Sequence, residues 1–394
     1  MPRHPRASTT NDSLSTGVFS ALTRRAADHC GPIYPLHVGD TWREPWSGAR
    51  ADFADTAQTP LLYAYAPVRG EPTLLAAAHA ACEARSGRSL DEMDFVVVSG
   101  ATSGISVVMQ TLLDPGDEVL LPAPFWPLVR GIIASRGAVP VQVPIWDRKD
   151  QADFDLEATL NAAVTDRTVA LYVNSPHNPT GGILTDAEAA TFARVAKRHD
   201  LWLITDEVYE ELWFGDAAPA PLWARDDYRE RAIAVHSLSK AYGFAGARVG
   251  WVHGPKEVMA RVLATQTYQV YCAPRPMQLG AAKAVREGQA WLAETRALYR
   301  EAGHLTAATF GVTPPAGGTF LFVDAGPYLA DDAADAMPLL TRLLDEAGVL
   351  LTPGASSGEA YARWMRVCFT AVAPDVLAEA LGRIAPILES MRHP

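Results

Sequence analysis

The sequence predicts an α/β protein. Its large domain has a mostly parallel sheet covered by helices, and a smaller α+β domain is formed by the C-terminal part and the N-terminal segment. Three observations carry this reading. Short apolar runs rich in β-branched residues recur between residues 95 and 252. Helix-forming stretches separate most of them. Beyond about residue 305 the alternation gives way to a glycine-led strand, two further strands and two helices. Strands that are apolar on both faces belong to a sheet covered on both sides, and such sheets are mostly parallel because their crossovers are helices.

The elements follow in order. Residues 1–16 read as a loose arm and 17–29 as a short helix. Residues 35–40 (PLHVGD) read as a brief strand ending at Gly39, followed by a Trp- and Pro-rich loop through Trp46. Residues 74–85 combine helical spacing with good helix formers. Residues 95–98 form an apolar strand. Residues 105–113 form a helix stopped by the turn Asp114-Pro115-Gly116-Asp117. Strands continue at 119–121, 139–143, 169–173, 201–205, 232–236 and 249–252. In the last quarter, 317–323, 349–352 and 365–369 read as strands, and 334–347 and 373–391 as helices. The predicted division is 1–46 for the arm and the N-terminal part of the small domain, 47–305 for the large domain and 306–394 for the rest of the small domain.

Composition narrows the function. A chain of 394 residues with 48% hydrophobic and 20% charged residues is a folded globular protein. Lys and Arg total 34 against 45 Asp and Glu, a net charge of −11, which disfavours nucleic acid as the main partner. A local basic pocket can still hold one phosphate. The longest uncharged run that could suggest a membrane span, 95–113, contains Gly100, Gly104, Ser99, Ser103, Ser106, Thr102 and Gln110. It reads as folded core and not as the ~20 apolar residues of a membrane span. The basic start has no apolar run after it, so no secretory signal is expected. Four cysteines, Cys30, Cys82, Cys272 and Cys368, lie far apart without a Cys-x-x-Cys. They suggest neither disulfides nor a zinc site, and suit a reducing, cytoplasmic setting.

Ligands of such sheets gather at the carboxyl ends of the strands, and four strand ends carry unusual polar groups. After 95–98 comes Ser99-Gly100-Ala101-Thr102-Ser103-Gly104, with a helix at once behind it. It reads either as a plain turn or as an anion site of free backbone N–H groups. It matches neither common nucleotide fingerprint. After 169–173, the loop Asn174 to Gly182 holds two Pro and two Gly around Asn178, a constraint that suggests positioning. After 201–205 comes Asp206, with Glu207 and Tyr209. A buried carboxylate there needs a cation, whereas a surface Asp needs nothing. After 232–235 comes His236-Ser237-Leu238-Ser239-Lys240, then Gly243, Gly246 and Arg248. Lys240 reads as solvated surface or as a nucleophilic amine. Arg248 can clamp a phosphate. Together these groups match the phosphate, phenolic oxygen, ring nitrogen and aldehyde of pyridoxal 5'-phosphate.

The chain resembles the fold-type I, pyridoxal-phosphate-dependent aminotransferases of class I/II, from about Leu36 to Met391. The run Ser237-Leu238-Ser239-Lys240 through Gly243, Phe244, Gly246, Arg248, Val249 and Gly250 matches that family's lysine motif, and NPTGG and DEVY stand at suitable spacings. The resemblance implies that Lys240 forms a Schiff base with the cofactor and later moves the substrate α-proton. It implies that Asp206 pairs with the ring nitrogen, and that Asn178 and Tyr209 hydrogen-bond the phenolic oxygen. Gly100, Ala101, Thr102, Ser237, Ser239 and Arg248 would hold the phosphate, and Trp126 would stack on the ring. Tyr65 would reach the phosphate of the neighbouring subunit, implying a homodimer with shared active sites. Arg366 would bind the substrate α-carboxylate, with Asn178 beside it, and Gly39 would close over the substrate. The expected reaction moves an amino group between an L-amino acid and a 2-oxo acid with ping-pong kinetics.

The sequence departs from the family after Gly39, where Asp40-Thr41-Trp42-Arg43-Glu44-Pro45 stands, and at Leu75, where Arg is common. Trp42 and Trp46 either line the substrate pocket or pack between domains. Arg275 either selects an acidic substrate or sits on the surface. Rival reactions on the same scaffold are β-elimination, decarboxylation and oxidation. A non-catalytic, cofactor-sensing regulator would need an appended DNA-binding module, for which the N-terminus is too short. A rival from another class is a serine hydrolase using Ser356 of Gly354-Ala355-Ser356-Ser357-Gly358, with Asp375 and His393 as partners.

Overall fold

The structure is a computed structural model that describes residues 10, 14, 20–50, 59–225 and 228–392. The predicted arm over 1–16 falls almost wholly outside the described residues, as does His393. The helix expected over 17–29 is α1, Ser20–Ala27. The strand expected over 35–40 does not form. Tyr34 makes a single bridge to Val349, and the chain then turns, with Leu36 N–H donating back to the Tyr34 carbonyl at 2.9 Å. Pro35 has no N–H with which to extend that bridge.

The large sheet has seven strands. They are β1 (Met93–Val98), β2 (Glu118–Ala123), β3 (Val139–Pro144), β4 (Thr168–Asn174), β5 (Trp202–Asp206), β6 (Ala232–Ser237) and β7 (Gly250–Pro255), in the order β1-β7-β6-β5-β4-β2-β3. Pairings among β2 to β6 are parallel, whereas β7 is antiparallel to both its neighbours. The connection explains the exception. Residues 238–249 between β6 and β7 contain no α-helix, only a three-residue 3-10 turn at Ala245–Ala247, so no crossover helix carries the chain back for a parallel return. The edge strand β3 carries two prolines and is half exposed, as an edge tolerates.

Helices α2 (Pro72–Ser86), α3 (Ala101–Leu112), α4 (Pro127–Ala134), α5 (Leu156–Ala163) and α6 (Asp186–Arg198) precede or link the first five strands. Helices α7 (Lys256–Gln269), α8 (Arg275–Glu287) and α9 (Gln289–Phe310) follow the sheet. Alternate strand residues feed opposite faces. Val96, Val98, Leu121, Tyr172, Ile204 and Val235 pack with Ile105 of α3 and Met259 of α7. Leu120, Leu171, Val173 and Leu203 pack with Leu160 of α5 and Phe192 of α6. The helix expected over 105–113 begins earlier, at Ala101. Its first turn is small and polar, which hid it.

The smaller sheet is antiparallel, with β8 (Phe320–Asp324), β9 (Thr352–Pro353) and β10 (Trp364–Cys368) in the order β8-β10-β9. Helices α10 (Met337–Ala347) and α11 (Pro374–Met391) share one apolar cluster with it, Leu339, Leu343, Leu377 and Leu381 packing together with Val323, Met365 and Val367. The strand expected over 349–352 shrinks to Thr352–Pro353, because Leu350 N–H turns to the Tyr34 carbonyl at 3.0 Å. The N-terminal segment joins this sheet. Cys368 N–H donates to the Leu36 carbonyl and Trp42 N–H to the Thr370 carbonyl, both at 2.8 Å.

Candidate active site

The carboxyl ends of β4, β5 and β6 open on one cavity of about 220 Å³. Because β7 runs backwards, its first residue pairs with the last of both β1 and β6, Gly250 facing Val98 and Ser237. That register delivers Arg248 to the same rim as Gly100, Ser237 and Lys240. Lining the cavity are the predicted Gly39, Ala101, Thr102, Trp126, Asn178, Asp206, Tyr209, Ser237, Ser239, Lys240, Arg248 and Arg366. Tyr65 is not among them within one chain. It is 82% exposed, with its ring against Tyr271 at a centroid distance of 5.0 Å.

One corner is built for an anion. Gly100 caps α3 with φ 79° and ψ 162°, a conformation that residues with a Cβ scarcely adopt. A methyl group there would lie 2.5 Å from Arg248 Nη2. The first backbone N–H groups of α3, the Ser237 and Ser239 hydroxyls (2.9 Å apart) and the Arg248 guanidinium meet around it. Arg248 itself has φ 55°, and its Nη1 donates to the Ala245 carbonyl at 2.6 Å.

Opposite stands a buried acid. Asp206 Oδ2 accepts a short hydrogen bond from the Tyr172 hydroxyl, and Oδ1 accepts from Val208 N–H at 3.2 Å. Burial pushes its pKa up to about 6, against the pull of those two bonds. Lys240 Nζ donates to the Gly39 carbonyl, and burial lowers its pKa. An amine so placed holds its proton less tightly than an exposed lysine.

An amide relay closes the site. Asn174 Nδ2 donates to the Asp206 carbonyl and Asn174 Oδ1 accepts from Asn178 N–H, both at 2.8 Å. Asn178 Nδ2 donates to the Tyr209 hydroxyl at 3.2 Å, and Asn178 Oδ1 accepts from Arg366 Nη1 at 3.1 Å. Arg366 Nη2 also donates to the His37 carbonyl at 3.0 Å, and the guanidinium lies 4.3 Å above the Phe320 ring. Burial lowers the Arg366 pKa, yet a guanidinium stays charged.

Several expectations resolve here. Phe125 is fully buried while Trp126 faces the cavity. Trp42 and Trp46 pack on the main core and not on the cavity. Arg275 is part-buried, tied to the buried Glu71 at 2.6 Å, and does not line the cavity of its own chain. Ser356 Oγ donates to the Pro353 carbonyl of its own turn at 2.9 Å and does not line the cavity. Reading the sequence missed Tyr172, Asn174, Ile105, Leu128 and Phe320. The signal for Asn174 was present, since it ends its strand beside Asp206.

The cradle, the buried acid and the amine fit a ligand with a phosphate at one end, a basic ring nitrogen at the other and a carbonyl between. The sequence matches the family described as "Aminotransferase class I and II" over residues 39–384. It is 36% identical over 311 residues to a probable N-succinyldiaminopimelate aminotransferase, DapC, of Mycobacterium tuberculosis, covering 76% of this chain and 78% of that one. It is 34% identical over 330 residues to the arginine–pyruvate transaminase AruH of Pseudomonas aeruginosa, covering 82% and 81%. The solved N-succinyldiaminopimelate aminotransferase of Mycobacterium tuberculosis superposes with a TM-score of 0.88 at 31% identity, covering 97% of this chain and 100% of that one.

The fold and these relatives define a pyridoxal-phosphate-dependent enzyme that transfers amino groups. The chain belongs to the class I and II aminotransferases. The lyase, decarboxylase, oxidase and Ser356 hydrolase readings gain no support from the relatives.

Proposed function

We propose that Lys240 is the amine that carries the cofactor and then the substrate α-proton in transfer between an L-amino acid and a 2-oxo acid. The observation that carries this reading is the placement of Lys240 in one cavity with the buried acid Asp206, the Arg248 cradle and Arg366. Pyridoxal phosphate, when bound, supplies an aldehyde that condenses with amines and a ring that draws electrons from the substrate α-carbon.

The chain's own groups do the rest. Gly100, Ala101, Thr102, Ser237, Ser239 and Arg248 hold the phosphate, and Trp126 covers the ring. Asp206 holds a proton on the ring nitrogen, and Asn178 and Tyr209 orient the phenolic oxygen. Arg366, with Asn178 beside it, takes the substrate carboxylate bidentately, which aims the α-hydrogen at Lys240. Lys240, its pKa lowered by burial, is the group that would accept that proton and carry it between the substrate α-carbon and the aldehyde carbon of the cofactor.

Residues 1–46 and 306–394 act in this reading as a small domain against the large domain of 47–305. Gly39 and Arg366 come from the former, so substrate sits between the two. The working unit is a homodimer. Leu61, Tyr63, Tyr65 and Tyr268 are largely exposed, and Tyr65 packs edge-on against Tyr271, so large apolar side chains are available to a second copy. The four cysteines are free, in keeping with the cytoplasm. Among the described residues no helix is long and apolar enough to cross a membrane.

Borohydride reduction of the cofactor-loaded protein, followed by peptide mapping, tests the central assignment. The expected label sits on Lys240, with loss of the visible absorbance band. A label on any other lysine, or none, overturns it.

A further inference from the structure

Tyr172 stands behind the cavity wall and touches its buried acid. Strands β4 and β5 pair with Tyr172 beside Ile204 and Asn174 beside Asp206. Side chains two residues apart share a face, so Tyr172 and Asp206 are diagonal neighbours there. A phenol spans that diagonal, and its hydroxyl donates to Asp206 Oδ2 in a short hydrogen bond. The ring lies in the apolar layer with Ile204, Val235 and Ile105, so the hydroxyl is its one polar contact with the site. With Val208 N–H on Oδ1 and Asn174 on the Asp206 main-chain carbonyl, both carboxylate oxygens and the backbone are held. The other titratable groups facing this acid are His236 of β6 and Tyr209 of the turn after β5.

A buried acid tends to take up a proton, and a neutral acid forms no ion pair with a protonated ring nitrogen. Burial holds the Tyr172 phenol far above its ordinary pKa, so it stays a donor throughout the working range. We infer that Tyr172 is a positioning residue that orients the Asp206 carboxylate and keeps it ionised toward the cofactor's ring nitrogen. This rests on the reading of Asp206 given above.

The test uses the full chain, stripped of cofactor and titrated with two probes. One is pyridoxal phosphate. The other is its carbocyclic analogue, with C–H in place of the ring nitrogen. A hydrogen bond to a charged group is worth roughly tenfold or more in affinity. Tyr172→Phe is expected to bind pyridoxal phosphate about tenfold more weakly than the parent and the analogue equally well. Unchanged binding of pyridoxal phosphate, or equal weakening of both probes, overturns the proposal. Asp206→Ala, titrated alongside, separates the two readings. If it too fails to discriminate between the probes, the Asp206 assignment falls. If it discriminates and Tyr172→Phe does not, only the Tyr172 proposal falls. Should the phenylalanine variant fail to fold, 3-fluorotyrosine at position 172 keeps the packing and donates from a more acidic phenol. The acid limb of pyridoxal phosphate binding then moves to lower pH, and an unmoved limb overturns the proposal.

Discussion

Arg366 Nη1 and the Tyr209 hydroxyl meet opposite ends of one amide, the Asn178 side chain, at 3.1 and 3.2 Å. An arginine only donates, so the amide oxygen must face it and the amide nitrogen must face Tyr209. The small-sheet strand β10 is thereby joined to the loops of the large sheet through a single side chain. In the proposed function, substrate recognition and ring orientation share that side chain.

Asn178→Ala is therefore expected to raise KM for both the amino acid and the 2-oxo acid by about tenfold, the scale of a hydrogen bond to a charged group. Arg366→Ala raises KM further. Because the two residues touch, the double variant falls short of the sum of the single effects. Steady-state kinetics of the four proteins checks this, and strict additivity with unchanged KM values removes the proposed link.

Lys240→Ala is expected to abolish multiple turnover, a loss of at least about 10³-fold, since both the covalent partner and the proton carrier go at once. The variant is expected to keep binding the phosphate end of the cofactor through the Arg248 cradle. Absorbance through repeated additions of 2-oxo acid is the readout, and sustained turnover contradicts the assignment.

The elements differ in how plainly their residues announce them. The seven large-sheet strands were legible because most of them are apolar on both faces, and the polar residues at their ends stood out against that background. The reversed direction of β7 was not read, although its connection from β6, interrupted by Gly243 and Gly246, holds no α-helix to make a parallel crossover. The start of α3 was hidden because Thr102, Ser103 and Gly104 look like loop residues. Tyr172 was hidden for the opposite reason. A tyrosine within an apolar run reads as core, and only the register of β4 against β5 aims its hydroxyl at Asp206. The strand expected over 35–40 failed because pattern alone does not reveal which backbone donors find partners.

Asp206 makes stability pH-dependent in a direction with a definite sign. Its pKa without cofactor is raised from 3.8 to about 6, so the folded protein holds this proton more tightly than the unfolded chain. Its contribution to stability is then best below about pH 4, declines as pH rises to about 6, and is flat above. The cost at neutral pH is on the order of 3 kcal/mol. Asp206→Asn is expected to raise the melting temperature of the cofactor-free protein at pH 7, with the gain vanishing near pH 4. Melting curves across that range decide the matter. A variant less stable than the parent at pH 7 means that the carboxylate is compensated within the apoprotein.

Gly100→Ala probes the anion cradle. The added methyl needs a backbone conformation that costs about 1–3 kcal/mol outside glycine, and it pushes on Arg248. Arg248 can swing aside, so the fold survives while the cradle loosens. The expected result is about a tenfold loss of pyridoxal phosphate affinity with little change for pyridoxal, which lacks the phosphate. Equilibrium titration with both ligands is the check, and equal losses for the two move the lesion away from the phosphate.

The proposed homodimer with shared active sites makes a prediction that no single variant can mimic. Tyr65 lies outside the cavity of its own chain, and is proposed to serve the cavity of a second copy. Tyr65→Ala and Lys240→Ala chains are then each impaired, by different defects. In a mixed dimer, the site that draws Lys240 from the first chain and Tyr65 from the second is intact. Random reassociation of equal amounts makes half of the dimers mixed, each with one intact site of two, so about a quarter of the parent activity should return. Unfolding and refolding the two variants together, with each refolded alone as control, measures it. If the mixture stays as inactive as the average of its components, Tyr65 acts within its own chain or not at all.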